Sequence, residues 1–442
     1  MNMGSFAKAS ELHKRLLFTL LALLIYRIGT YVPVPGINSE AFLAFFQNPD
    51  SQRGVLDMVN MFSGGAVERF AVFALNVMPY ISASIIVQLM GAVYPPWEKL
   101  KKEGGESGRK QLNQYTRYLT VVLALFQSTG IAFGLNAQPN LIDTPGLFFI
   151  VSTVTVLTGG TMFLMWLGEQ VTARGVGNGI SLIIFAGIVA VLPGTVARMF
   201  GLAQQGQMSV FTLLFISVMM IAVVVFIVFM ERAQRRLLIQ YPKRQEGNRM
   251  AGGERSFLPL KVNTAGVIPP IFASSLLMFP STISQFYDSR LLSYVSQAFY
   301  PGNWLYNVVF VGLIVFFSFF YTAITFNPED VADNLKKQGG FIPRVRPGRE
   351  TEAYLDWLLT RLTAGGSIYL AAVCVLPTIM YTRFNIPFYF GGTGLLILVG
   401  VTLDTMGQIQ AQLSTKYYGG VSGPGGGARG RRRRLGGDGP FL

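Results

Sequence analysis

Residues 210–230 read VFTLLFISVMMIAVVVFIVFM, and residues 231–264 continue ERAQRRLLIQYPKRQEGNRMAGGERSFLPLKVNT. The first stretch carries no charge over a length that lets a helix cross a hydrocarbon core of about 30 Å, which takes about 20 residues. The second holds eight Lys and Arg, the mark of a loop retained on the inner side of a membrane. Similar apolar runs with at most one charge lie at 16–35, 72–93, 116–135, 148–168 and 178–197 on one side of this junction, and at 265–286, 305–326, 362–382 and 393–411 on the other. Ten crossings with the N-terminus inside place 30 of the 36 Lys and Arg in inside segments, five outside and one, Arg27, within the first span. The opening MNMGSFAKASELHKRLLF is basic before its apolar run, but no small-residue cleavage site follows, so it reads as a retained first helix.

Composition agrees with this reading. Only 13% of the 442 residues are charged, against about 25% in soluble proteins, and 51% are hydrophobic. A soluble fold of this size has no core large enough to hide that much apolar surface. A single Cys (Cys374) and a single His (His13, among charges near the N-terminus) supply no disulfide framework, zinc site or Cys/His dyad. There is no GxxxxGK[ST] phosphate loop and no paired carboxylate inside a span, so neither cofactor nor energy source is expected in the chain itself.

Five spans fall in residues 1–209 and five in 210–415. An odd number reverses the chain, so any repeat is inverted, which suits a path between the halves at mid-membrane. The Gly- and Arg-rich residues 416–442 read as a disordered tail, either simply solvated or in contact with anionic lipid or RNA. Arg27 and Asp404 are the ionisable residues well inside spans. They either pair or snorkel to their nearer surfaces. Residues 56–70, LDMVNMFSGGAVERF, are too short to cross and break at Gly64-Gly65; they either re-enter the membrane under protein cover or lie at its surface. The inside loops exceed ordinary connection length and are basic, which admits anionic lipid, ribosomal RNA or an acidic protein surface as partners.

Five stretches carry a resemblance: NMFSGGAVERFAVFALNVMPYISASIIVQLM (60–90), KKEGGESGRKQLNQYTRY (101–118), MWLGEQVTARGVGNGISLIIFAGIVA (165–190), NTAGVIPPIFASSLLMFP (263–280) and FNPEDVADNLKKQGGFIPRVRPGRETEAYLDWLLTRLT (326–363). Together they resemble the SecY family, the channel subunits of bacterial protein translocases, from about Leu16 to Gln412. The end after Tyr418 does not resemble that family.

The resemblance implies an all-α clam-shell of two inverted five-helix halves around an hourglass pore. Its waist ring corresponds to Val77, Ile81, Ile180, Ile184, Ile271 and Ile397. Such a ring dewets and blocks ions when empty, yet offers a passing peptide no polar grip. The short outside segment corresponds to the plug: Asp57, Met58, Val59, Asn60, Met61, Phe62, Ser63, Gly64, Gly65 and Ala66. A lateral gate between spans two and three and spans seven and eight corresponds to Ser82, Gln88, Gln127, Asn263 and Ser275, with Pro79, Pro269 and Pro270 as candidate kinks. Arg346 and Arg249 match the family's positions for contact with the SecA motor or the ribosome, although Asn248 stands where another arginine is usual.

The resemblance further implies partners SecE and SecG in a heterotrimer, secretory and membrane-protein substrates, anionic lipids, and a bacterial inner-membrane location with both termini cytoplasmic. A secondary transporter for a small solute shares the ten spans but predicts polar, discontinuous helices at the midplane, where this sequence places mostly aliphatics. An intramembrane enzyme lacks a catalytic pair.

Overall fold

The computed structural model describes residues 10–47, 60–102, 104–136, 141–143, 145–206, 209–241, 243–246, 249–252, 255–284, 298, 303–384 and 392–421. Among these, the first half comprises α1 (Ser10–Gly29), α2 (Ser39–Gln47), α3 (Met78–Val93), α4 (Pro95–Lys102), α5 (Gly105–Asn136), α6 (Leu147–Arg174) and α7 (Gly179–Gln204). The second comprises α8 (Val210–Arg232), strands β1 (Gln234–Gln240), β2 (Lys243–Glu246), β3 (Arg249–Gly252) and β4 (Arg255–Lys261), then α9 (Ile268–Ser284), α10 (Trp304–Thr325), α11 (Pro328–Lys337), α12 (Arg349–Phe384) and α13 (Gly392–Val421).

A helix occupies each of the ten expected crossings: α1, α3, α5, α6, α7, α8, α9, α10, α12 and α13. Seven described helices are long and apolar enough to span a membrane alone, and α3 counts as an eighth when joined to α4 across a 99° bend. α1 carries charges at both ends of its 20 residues, and α9 has only 17 described as helical. The outward faces are apolar: α8 buries Ile216, Val223 and Ile227 while exposing Leu214, Val218, Ile221, Val225 and Phe229. Such a face is stable only against lipid or protein, and the chain is a multi-pass membrane protein.

Two helix starts differ from expectation for one physical reason. The second span reads as 72–93, yet α3 begins at Met78, because Pro79 in its first turn has no N–H to lose there and is pre-set for helix entry. Pro269 and Pro270 likewise sit in the first turn of α9. These three prolines therefore start helices rather than kink them. Upstream of α3 the chain turns irregularly, with Phe70 (φ 45°) and Asn76 (φ 49°) in the left-handed region.

The inner loops are structured too, which the sequence reading does not anticipate. β1 pairs antiparallel with β4, and β2 with β3, forming one long hairpin. Gln240 and Phe341 exchange backbone hydrogen bonds of 2.9 and 3.0 Å, tying this hairpin to the loop after α11. Leu237, Leu260, Ile342, Leu355, Leu358 and Leu359 form a separate small core beneath the two loops. At the C-terminal end, α13 runs to Val421, beyond the expected start of the tail, and 422–442 lie outside the described residues.

Within the first half α5 packs on α3 and α6, and α1 on α6 and α7. Within the second half α10 packs on α9 and α12, and α13 on α8 and α12. The halves meet where α3 packs on α9 and where α7 packs on α13 and α8.

Candidate functional site

At that junction Val77, Ile81, Ile184, Ile271 and Ile397 close around a cavity of about 10 Å³, lined also by Phe62, Asn76, Met78 and Ser274. This is about the space that one water needs. Val77 and Ile397 are 1% exposed, and all five belong to or pack on the central hydrophobic cluster. Four elements contribute one or two side chains each: α3 with the residue before it, α7, α9 and α13.

Local chemistry places α7. Asn178 caps it, its Oδ1 accepting from the Ile180 and Ser181 N–H groups at 3.1 and 3.4 Å. A Cβ at Gly179 would stand 2.0 Å from the Gly168 carbonyl oxygen, so the start of α7 touches the backbone of α6. Ile180, expected in the ring, is half-buried and lies against Gly168; it does not line the described cavity. Ile184, one turn on, does.

Of the segment expected as the plug, Asp57, Met58 and Val59 lie outside the described residues. Asn60 to Ala66 fold back into the space between the halves, with Met61, Phe62, Ser63 and Ala66 buried. Gly64 (φ 70°) and Gly65 (φ 84°) make the turn in left-handed conformations that a side chain resists. Three consecutive carbonyls of this segment are each bound by a side chain from elsewhere. Asn76 Nδ2 donates to Phe62 O, Tyr26 Oη to Ser63 O at 3.1 Å, and Arg27 Nη1 to Gly64 O at 2.7 Å.

Of the two courses open to it in the sequence, Arg27 does not take the pairing with Asp404. It binds the Gly64 carbonyl and donates to Tyr31 Oη at 2.7 Å, while Asp404 is exposed on α13. Arg27 and Arg69 also lie over the Tyr31 ring, at 4.7 and 4.1 Å from its centroid.

The five seam positions divide. Ser82 and Gln88 stand half-buried on α3, Ser275 is buried on the facing α9, and Gln127 is half-buried on α5. Gln88 Nε2 donates within its own helix to Ser84 Oγ at 3.0 Å. Ser275 Oγ is buried without a hydrogen-bond partner among the described residues. Asn263 precedes α9 and bonds inside the second half, its Nδ2 donating to Glu231 Oε1 at 2.6 Å and Gly266 O at 3.0 Å. It pins the root of α9 to the end of α8. The closed contact across the seam is α3 on α9.

On the inner side, Arg249 opens β3 opposite Glu246 in register. Arg346 is exposed at the tip of the loop between α11 and α12, beside exposed Arg344 and Arg349. The tip is anchored by the buried Ile342 and by Thr351 Oγ1 donating to Arg346 O at 2.8 Å. Among the described residues no three His, Cys, Asp or Glu side chains gather as a metal site.

Sequence reasoning misses Tyr26, Asn76 and Glu231. Tyr26 and Glu231 carry no motif. Asn76 is signalled only as a polar residue directly before the ring position Val77.

Comparison with known proteins gives concordant results. The SecY family model matches residues 71–406. The protein translocase subunit SecY of Pseudomonas aeruginosa is 51% identical over 413 residues, covering 92% of each chain. That of Escherichia coli K12 is 49% identical over 416 residues, covering 92% of this chain and 93% of the relative. Among solved structures, a protein-conducting channel aligns with a TM-score of 0.66 at 16% identity, covering 93% of this chain and 95% of that one. Sec61 in a canine ribosome–channel complex from the endoplasmic reticulum aligns with a TM-score of 0.64 at 16% identity, over the same shares.

Proposed function

The chain belongs to the SecY family, and from that membership we propose that it is the pore-forming subunit of a protein-conducting channel, passing unfolded secretory polypeptides across the membrane and releasing apolar segments sideways into lipid. The observation that carries this reading is the cavity between the halves, walled by aliphatic side chains and capped by the folded-back plug. A solute site needs convergent polar groups; this waist is lined mostly by apolar side chains, with the Asn76 amide and the Ser274 hydroxyl, and the latter donates within its own helix to Ile271 O at 2.9 Å.

In this account Val77, Ile81, Ile184, Ile271 and Ile397 form the waist gasket, which dewets when empty and deforms around a chain. Ile180 joins it when α7 moves. Residues 57–66 act as the plug. Ser82, Gln88, Gln127 and Ser275 line the lateral gate, and Asn263 fixes the root of its α9 side. The halves move as units, 1–209 against 210–415, and 416–442 serve as a tail. The channel performs no reaction of its own. A motor or ribosome supplies the work through the two inner loops, with Arg249 and Arg346 as contact points. The joint core under both loops supports a single rigid docking platform.

SecE and SecG complete the heterotrimer against the apolar outer faces, and anionic lipids meet the basic inner segments. The location is the bacterial inner membrane, with cytoplasmic termini.

Depletion of the chain from cells tests the proposal. Unprocessed secretory precursors should accumulate and membrane-protein insertion should fall, with both restored by re-expression. Undiminished export after depletion overturns it.

A further inference from the structure

The plug is bound by its main chain. Phe62, Ser63 and Gly64 each present a carbonyl to a different donor: the Asn76 amide, the Tyr26 hydroxyl and the Arg27 guanidinium. Those donors come from two places, the C-terminal end of α1, where Tyr26 and Arg27 are neighbours, and the turn before α3. Asn76 is the most constrained of them. It is 1% exposed, sits at φ 49°, lines the waist cavity beside Val77, and has an Oδ1 without a partner among the described residues. A buried amide in the left-handed region carries a cost in both conformation and desolvation, and that cost persists only where something over-determines it. Here the gain is the bond to Phe62 O, which holds the Phe62 side chain in the wall of the cavity.

We propose that Asn76, Tyr26 and Arg27 are the latch of the resting channel, positioning residues that hold the plug shut by reading three successive backbone carbonyls. This inference rests on the channel reading given above. Reading carbonyls makes the latch indifferent to plug side chains. It also means that the bonds lost when the plug leaves are of a kind that any polypeptide entering the waist can replace.

Two minimal variants isolate the donors. Asn76→Gly removes the amide at a φ that glycine adopts freely, so the turn is not strained by the change. Tyr26→Phe removes one hydroxyl and keeps the ring stacked on Phe73 at 6.1 Å. The channel complex is reconstituted in planar bilayers, and resting chloride conductance is measured for the wild type, each variant, a deletion of residues 60–66, and each variant in the deleted background. A neutral hydrogen bond is worth about a five-fold change in an equilibrium. Each single variant should therefore raise the open fraction at rest by about five-fold, and neither should add to the leak of the plug-deleted channel.

If the deletion leaks but both single variants match the wild type, the latch is refuted and the channel reading stands. If the variants leak further in the deleted background, the donors act elsewhere than on the plug, which also refutes it. If the deletion itself leaves conductance unchanged, the plug assignment fails and the latch with it.

Discussion

Gly187 on α7 stands where the plug crosses that helix, and a Cβ there would lie 2.5 Å from Phe62 O and 2.9 Å from Tyr26 Oη. The first atom belongs to backbone and the second to a hydroxyl already committed to Ser63, so neither yields cheaply. Gly187→Ala should therefore unseat the plug without disturbing the gasket, raising resting conductance while export still runs; a conductance equal to the wild type would show that this contact relaxes. Ser275 presents the opposite case. Its buried Oγ has no partner among the described residues, so Ser275→Ala removes a desolvated hydroxyl at no loss of a bond. The closed seam should gain up to about 1 kcal/mol. Signal sequences of low hydrophobicity should then open it less often, read as slower export of their precursors alone. At this scale the sequence is legible only in part. Five of the six ring positions carried over from the family resemblance line one cavity, but each sits among equally apolar neighbours and spacing does not select them. The partners of Tyr26, Arg27 and Asn76 are plug carbonyls, which every residue has and no motif records.

The transmembrane elements follow directly from charge-free length, and each expected crossing contains a helix. Their starts do not follow from hydropathy alone. The stretch ahead of α3 is as apolar as the helix it leads into, and the position of Pro79 is what moves the start to Met78. The inner hairpin is harder to read, because its apolar run is only Leu237, Leu238 and Ile239, between Arg236 and Gln240, with Leu237 and Ile239 facing inward. A pattern that short becomes a strand only when the loop before α12 offers Phe341 as a backbone partner and Ile342 as core. The tip beyond Ile342 is thus held rigidly while Arg346 stays in solvent. Arg346→Glu reverses the charge without touching that core. It should slow motor-driven secretion several-fold while the protein still accumulates in the membrane; equal secretion by variant and wild type contradicts the contact assigned to it.

For the whole molecule, the positive-inside count and the odd number of spans per half are enough to expect two oppositely oriented bundles. They say nothing of how far apart the bundles stand. That distance is set by side chains meeting across the interface, with α3 on α9 and α7 on α13, and it decides whether the space between is an aqueous site or a gasket. The answer here is a cavity of about 10 Å³, so a polypeptide passes only if the halves part around it. In the channel proposed above, the translocated chain runs through this waist. The most direct measurement is photocrosslinking from position 184, with position 221 as an outward control because Ile221 is 65% exposed on α8, to a secretory protein stalled in transit. Adducts are expected from 184 and none from 221. Export that continues normally with no adduct at 184 would take the substrate out of the waist and contradict it.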